Sequence, residues 1–505
     1  MNSIETDSIE YCDHFSLGSN EISSIAVLIL IVSILNTIYQ SQYHRMSILI
    51  KNGRIITASE DYVADIFIEG EKVVHIGQNL QLKADSVINA KGKYLFPGGI
   101  DPHVHLDMPF MGTFSSDDYT SGTSAALFGG TTMVIDFVLQ TQGKSLYHAL
   151  KEWQGRSDGN ACCDYSFHMA VTDFNEETKK EIALMVNEEG ISSFKTFMAY
   201  KGALMIDDRQ MVGLMNEVKK QGGMVTVHAT NGDMIDFLIA KHRSEGKLAP
   251  LYHYLSQPEI TESEASSRFT DMANYTGVPG YIVHMTCEGA VNAVRDAARR
   301  NQRVFGETCI QYLLLDASLY NKNFDGAKWV MSPPLREKKD QEALWAGINA
   351  GTLQVVATDH CPFKWEQKLM GKDDFSRIPN GHPAIEHRLE LLFSEGVQKG
   401  RISLNKFVEV TSTNAAKIFG MFPAKGCIAV GSDADIVIFD PNERHTLSAA
   451  THHMNVDYSA YEGYKVKGKT KTVILRGQVA IENNELKIAK GYGKFVKRNK
   501  VNGVI

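Results

Sequence analysis

Hydrophobic and polar positions change period twice along this chain. From Met46 the stretch "SILIKNGRIITASEDYVADIFIEGEKVVHIG" alternates short β-branched runs with Gly and Asp turns, which predicts a small antiparallel β unit. The same texture returns near the other end, in "GSDADIVIFDP" and "TKTVILRGQVAIENNELKI". Two β-rich arms at opposite ends of the sequence predict one small sandwich assembled from both. Between them the pattern becomes strand alternating with helix, the signature of βα units around a parallel sheet. Eight candidate strands stand out: residues 98–105, 131–137, 165–171, 192–197, 223–229, 280–286, 303–308 and 353–360. "NEETKKEIALMVNEEG" and "EGAVNAVRDAARRNQ" between them carry apolar residues at helical spacing. The expected fold is therefore α/β, a TIM (β/α)8 barrel with a β-sandwich built from both termini. The expected divisions are an N-terminal extension (1–45), the first part of the sandwich (46–97), the barrel (98–420), the second part (421–490) and a tail (491–505).

The extension changes the picture only locally. Residues 22–39, "ISSIAVLILIVSILNTIY", are mostly apolar, at the short end for a membrane span. No basic region precedes them, which argues against a secretory signal. Arg45, Lys51 and Arg54 follow, so an anchor here would leave the main body in the cytosol. The other reading is a stretch upstream of a start at Met46. Either way the body is expected to be cytoplasmic.

Composition excludes more than it selects. Over 505 residues the chain is 43% hydrophobic and 22% charged with a net charge of −7, an ordinary globular balance. It shows no basic stripe, which excludes nucleic acid as the expected partner. Seven cysteines (12, 162, 163, 287, 309, 361 and 427) form no CxxC pair, so neither a disulfide framework nor a zinc–thiolate site is expected. Any metal would have to be held by histidine and carboxylate.

The candidate chemistry lies at the ends of the predicted strands. His103 and His105 close the first, two residues apart, so both imidazoles can face one metal. Lys195 lies near the end of the fourth, between Phe194 and Phe197, where a bare ammonium must lose its proton or find a strong partner. His228, His284 and Asp359 end the fifth, sixth and eighth. The C-terminal strand ends of a TIM barrel form its active face, so all six converge on one rim. Taken singly, each has an ordinary explanation: a hydrogen-bonded histidine, a helix-capping aspartate, a snorkelling lysine. Those explanations would all have to hold at the same rim.

The set "GGIDPHVHLDMPFMGT", "FKTFMAYK", "VHATNGD", "YIVHMTC", "GETCIQYLLLD", "SPPLR", "TDHCPF" and "RIPNGHP" resembles the dihydropyrimidinase/D-hydantoinase family of cyclic amidohydrolases. The resemblance runs from Ser47 to the "THHMNVDY" and "EGYKVKGK" stretches. It implies that Lys195 is carboxylated to a carbamate and, with a hydroxide, bridges two zinc ions. His103, His105 and Asp359 would hold the first ion, and His228 and His284 the second. Asp359 would also act as the base, Tyr200 would donate to the developing oxyanion, and Ser332 and Asn380 would hold the substrate's amide edge. The implied reaction is ring opening of dihydropyrimidines or hydantoins to N-carbamoyl amino acids. The implied assembly is a homotetramer, with the region after Asp457 reaching a neighbour. An allantoinase- or dihydroorotase-like enzyme and a non-catalytic dihydropyrimidinase-related protein are the alternatives. Three positions depart from the family pattern: Thr230 for a glutamate, Ile310 for a proline, and His382 for a small residue. Leu204 and Met205 fall where family side chains shape the pocket, so substrate preference is the least determined property.

Overall fold

The computed structural model describes residues 46–501. The apolar run at 22–39 lies outside the described residues; within them, no helix is long and apolar enough to cross a membrane.

Eight parallel strands form the central sheet, in chain order. They are β1 (Gly99–Val104), β2 (Thr131–Leu139), β3 (Asp164–Ala170), β4 (Ser193–Phe197), β5 (Met224–His228), β6 (Gly280–Ile282), β7 (Val304–Cys309) and β8 (Val355–Ala357). Their residues are almost all buried, as in parallel sheets covered on both faces. The seam between β8 and β1 closes the barrel. At its C-terminal end His105 N donates to His360 O (2.8 Å) and His360 N to His103 O (3.3 Å). At its N-terminal end the buried Arg388 donates through Nη1 to Ile100 O (2.9 Å) and Val356 O (3.0 Å).

The surrounding helices start and stop where local chemistry dictates. Glu176–Asn187 is capped by the Asn175 side chain. Asp208–Gln221 begins with a capping box at Asp207 and ends at Gly222, whose φ of 78° costs a glycine little. Both helices predicted from apolar spacing are present, as Glu176–Asn187 and Glu288–Arg299.

A separate nine-stranded sheet draws on both ends of the sequence. Its junction is the antiparallel pairing of Tyr94–Pro97 with Ile436–Thr446, Val437 lying opposite Phe96. The far edge strand Lys72–Gly77 comes back to the same region, Val73 N donating to Ser432 O and Ala434 N to Glu71 O. The sheet thus wraps on its own core of Ile48, Ile50, Ile66, Ile68, Ile436 and Ile474. Beyond it the chain returns to the barrel, where Tyr165 N donates to Lys494 O (3.0 Å) and Val496 N to Tyr165 O (2.7 Å).

Candidate active site

The C-terminal ends of the barrel strands surround one cavity. Its lining includes all nine candidate residues: His103, His105, Lys195, Tyr200, His228, His284, Ser332, Asp359 and Asn380. β1, β4 and β5 deliver His103, Lys195 and His228 directly. His284 and Asp359 lie two residues past β6 and β8, and Tyr200 three past β4. These three have φ of 42°, 50° and 65°, the left-handed region that L-residues avoid. Of twelve described non-glycine residues with positive φ, six are asparagine, which tolerates it. Three of the remaining six line this one cavity, a concentration of backbone strain typical of functional sites.

The donors fall into two groups. His103 Nε2 and His105 Nε2 lie 3.0 and 3.1 Å from the same oxygen, Asp359 Oδ1. These three side chains form a cluster able to hold a metal ion. His228 Nδ1 and His284 Nε2 face each other at 2.8 Å. Lys195 lies nearby, 1% exposed, its Nζ 4.9 Å from the Phe137 ring centroid and 5.3 Å from that of Phe197. Among the described residues it has no carboxylate partner, and burial pushes its pKa down to about 7. It is not a snorkelling side chain. Burial, with the Lys195 ammonium second, pushes His228 down to about 3, and burial with His228 holds His284 well below the usual histidine range. Burial opposes charge on His103, but Asp359 and Glu307 outweigh it and carry that imidazole up to about 9.

This donor set fits a metal centre. Four imidazoles and a carboxylate with converging atoms, the buried Nδ1 of His105 without a partner, and an uncompensated lysine are all costly in an empty fold. A cation shared among them removes that cost. Asp359 does not cap the next helix, which starts at Trp365 behind Lys364.

Residues 94–480 match the amidohydrolase family. A D-hydantoinase of Geobacillus stearothermophilus is 48% identical over 457 residues, 90% of this chain and 97% of its own length. The chain belongs to the dihydropyrimidinase/D-hydantoinase family. The rat dihydropyrimidinase in this family is 41% identical, with 89% of this chain and 88% of the relative aligned. The solved dihydropyrimidinase of Brevibacillus agri superposes with a TM-score of 0.90 at 48% identity, covering 91% of this chain and all of that one. Membership makes the chain a hydrolase of cyclic amides in a family that is typically metal-dependent, and it accounts for the TIM barrel.

Against the family pattern, Thr230 proves to touch a candidate ligand: its Oγ1 lies 2.9 Å from His228 Nε2, leaving Nδ1 free to face His284. His382 is buried behind the cavity, its Nε2 3.2 Å from the Tyr461 hydroxyl. Ile310 opens a short buried helix. One residue was absent from the sequence reading. Glu307, on β7, is fully buried; its Oε1 accepts from His103 Nδ1 (2.6 Å) and His284 N (3.0 Å), and its Oε2 from Tyr281 OH (2.8 Å). Its sequence signal was faint, a carboxylate on one of the three central strands (β2, β3 and β7) that carry no candidate ligand.

The rest of the cavity is apolar. Met108, Phe110, Leu139, Leu204 and Met331 line it, and among the described lining residues Lys195 is the only lysine and no arginine is present. Tyr200 stands over His228 with ring centroids 5.3 Å apart. Burial raises its phenol to about 12, partly offset by hydrogen bonds with Ser332 and Asn380.

Proposed function

We propose that the chain opens the rings of 5,6-dihydropyrimidines and hydantoins by hydrolysis, using two zinc ions and releasing N-carbamoyl amino acids. The observation that carries the reading is the convergence of four histidines, Asp359 and an unpaired buried lysine on one rim. His103, His105 and Asp359 would hold one ion, and His228 and His284 the other. Lys195 would add its amine nitrogen to carbon dioxide with release of a proton, and the resulting carbamate would offer the metal centre an anion in place of a buried cation. When bound, the ions supply Lewis acidity and bring the pKa of a water towards neutrality.

The protein's own groups do the rest. Asp359, beside both His103 and His105, takes the proton of the attacking water and returns it to the leaving ring nitrogen. The Tyr200 hydroxyl, kept protonated by burial, donates to the carbonyl oxygen as charge develops on it. Ser332 and Asn380 hold the amide edge largely through backbone groups, and the apolar wall receives ring substituents and excludes water. With no arginine in the lining, a substrate bearing a free carboxylate, such as dihydroorotate, finds no partner.

The working unit is a homotetramer in the cytosol. The six described cysteines are free, in keeping with a reducing compartment. The test is Lys195→Ala, for which metal and activity are expected to disappear together. An active, metal-loaded variant would overturn the scheme.

A further inference from the structure

The short helix Trp365–Lys368 follows β8, and none of its residues lines the cavity. Lys368 is fully buried, yet among the described residues no carboxylate pairs with it. Its Nζ donates instead to three backbone carbonyls: Val330 O at 2.9 Å, Pro379 O at 2.7 Å and Gly381 O at 3.0 Å. An ammonium has three N–H donors and no acceptor, so this set satisfies it completely. Burial lowers its pKa to about 7, opposed by the Cys361 thiol.

Those carbonyls belong to the two segments that carry the proposed substrate contacts. Val330 precedes Met331 and Ser332; Pro379 and Gly381 bracket Asn380. One further bond joins them directly, Gly381 N to Val330 O at 3.0 Å. The preceding residue, Gln367, donates through Nε2 to Thr113 Oγ1 and Phe114 O, both at 2.7 Å. That contact ties down the hairpin that brings Phe110 to the cavity wall. The same short helix therefore anchors three walls of the pocket.

We propose that Lys368 is a positioning residue for substrate, its ammonium fixing the separation of segments 330–332 and 379–381 so that their backbone groups receive the cyclic amide in register. This rests on the reading of Ser332 and Asn380 given above. Packing alone does not call for lysine here, because an apolar side chain of similar volume fills such a space without burying a charge. Three carbonyls aimed at one point do call for it. Freed of the clamp, the two segments bind ring and transition state more weakly to the same degree, which raises KM and leaves kcat nearly unchanged.

The experiment compares wild type, Lys368→Met and Lys368→Gln as zinc-loaded full chains, measuring metal content, thermal midpoint, kcat and KM for 5,6-dihydrouracil. The expected result for Lys368→Met is unchanged metal content, KM raised about tenfold or more and kcat within about threefold. Lys368→Gln keeps two N–H donors and is expected to fall between; it carries the comparison alone if the Met variant does not fold. A KM within about twofold of wild type in a metal-loaded variant would overturn the proposal. So would a fall in kcat together with lost metal, which would place the effect at the metal centre. A wild type inert towards every cyclic amide would instead remove the functional reading on which the proposal rests.

Discussion

Glu307→Gln isolates what one buried charge contributes to the proposed metal centre. The carboxylate reaches both halves of it, His103 on one side and the backbone of His284 on the other. In the variant the amide oxygen can keep both of these contacts. The amide nitrogen then faces Tyr281, whose hydroxyl can turn to accept. No contact need be lost, only the charge. A hydrogen bond to a charged group contributes about 1.5–3 kcal/mol and a neutral one about 0.5–1.5, so the main loss, at His103, is about 1–1.5 kcal/mol. That is roughly tenfold in metal affinity, at the lower end of the 10- to 100-fold found for groups that orient ligands. Glu307→Ala differs in kind. It strands three buried donors at about 1–3 kcal/mol each, so it should lower global stability by several kcal/mol. The assay is equilibrium zinc competition against a chelator, with thermal unfolding of the metal-free proteins alongside. A Gln variant within twofold of wild type in zinc affinity, or an Ala variant as stable as wild type, would refute this reasoning.

Three further outcomes are expected. Thr230→Val removes the hydroxyl that holds His228 Nε2, so zinc affinity should fall about tenfold with little change in thermal midpoint, read by the same competition. Tyr200→Phe should keep its metal and lose about 10²- to 10³-fold in kcat for 5,6-dihydrouracil, as when an oxyanion donor is removed. Asp136 is fully buried, accepts from Tyr119 OH and Phe137 N, and is pushed by burial from 3.8 up to about 7 despite those hydrogen bonds. Because the folded pKa exceeds the unfolded one, stability present below about pH 4 is lost as pH rises towards 7, on the order of 4 kcal/mol at most. Asp136→Asn should therefore be more stable than wild type at pH 8, with the advantage shrinking towards pH 5, in unfolding curves at the two pH values.

The barrel was legible because each strand is a short apolar run with polar helices between; all eight fall within the predicted segments or within two residues of them. Lys195 was legible for the same reason, a cation where the pattern demands apolar side chains. Strand ends were less so. β6 and β8 stop short of His284 and Asp359, because the positive φ of those residues ends the strand and no side-chain pattern announces it. Glu307 escaped because its partners are far away in sequence: His103 is 204 residues distant. Lys368 escaped because its partners are carbonyl oxygens, which every residue carries. Thr230 was noticed only as a departure from the family pattern; its contact with His228 needed coordinates.

The central claim is that this rim opens cyclic amides, and it is tested most directly by the ring-opening rates of 5,6-dihydrouracil, hydantoin, allantoin and dihydroorotate with the zinc-loaded full chain in bicarbonate buffer. The account predicts fast turnover of dihydrouracil and hydantoin, with dihydroorotate inert for want of a basic partner in the lining. A folded, metal-loaded protein that turned over none of the four, or that preferred dihydroorotate, would contradict it.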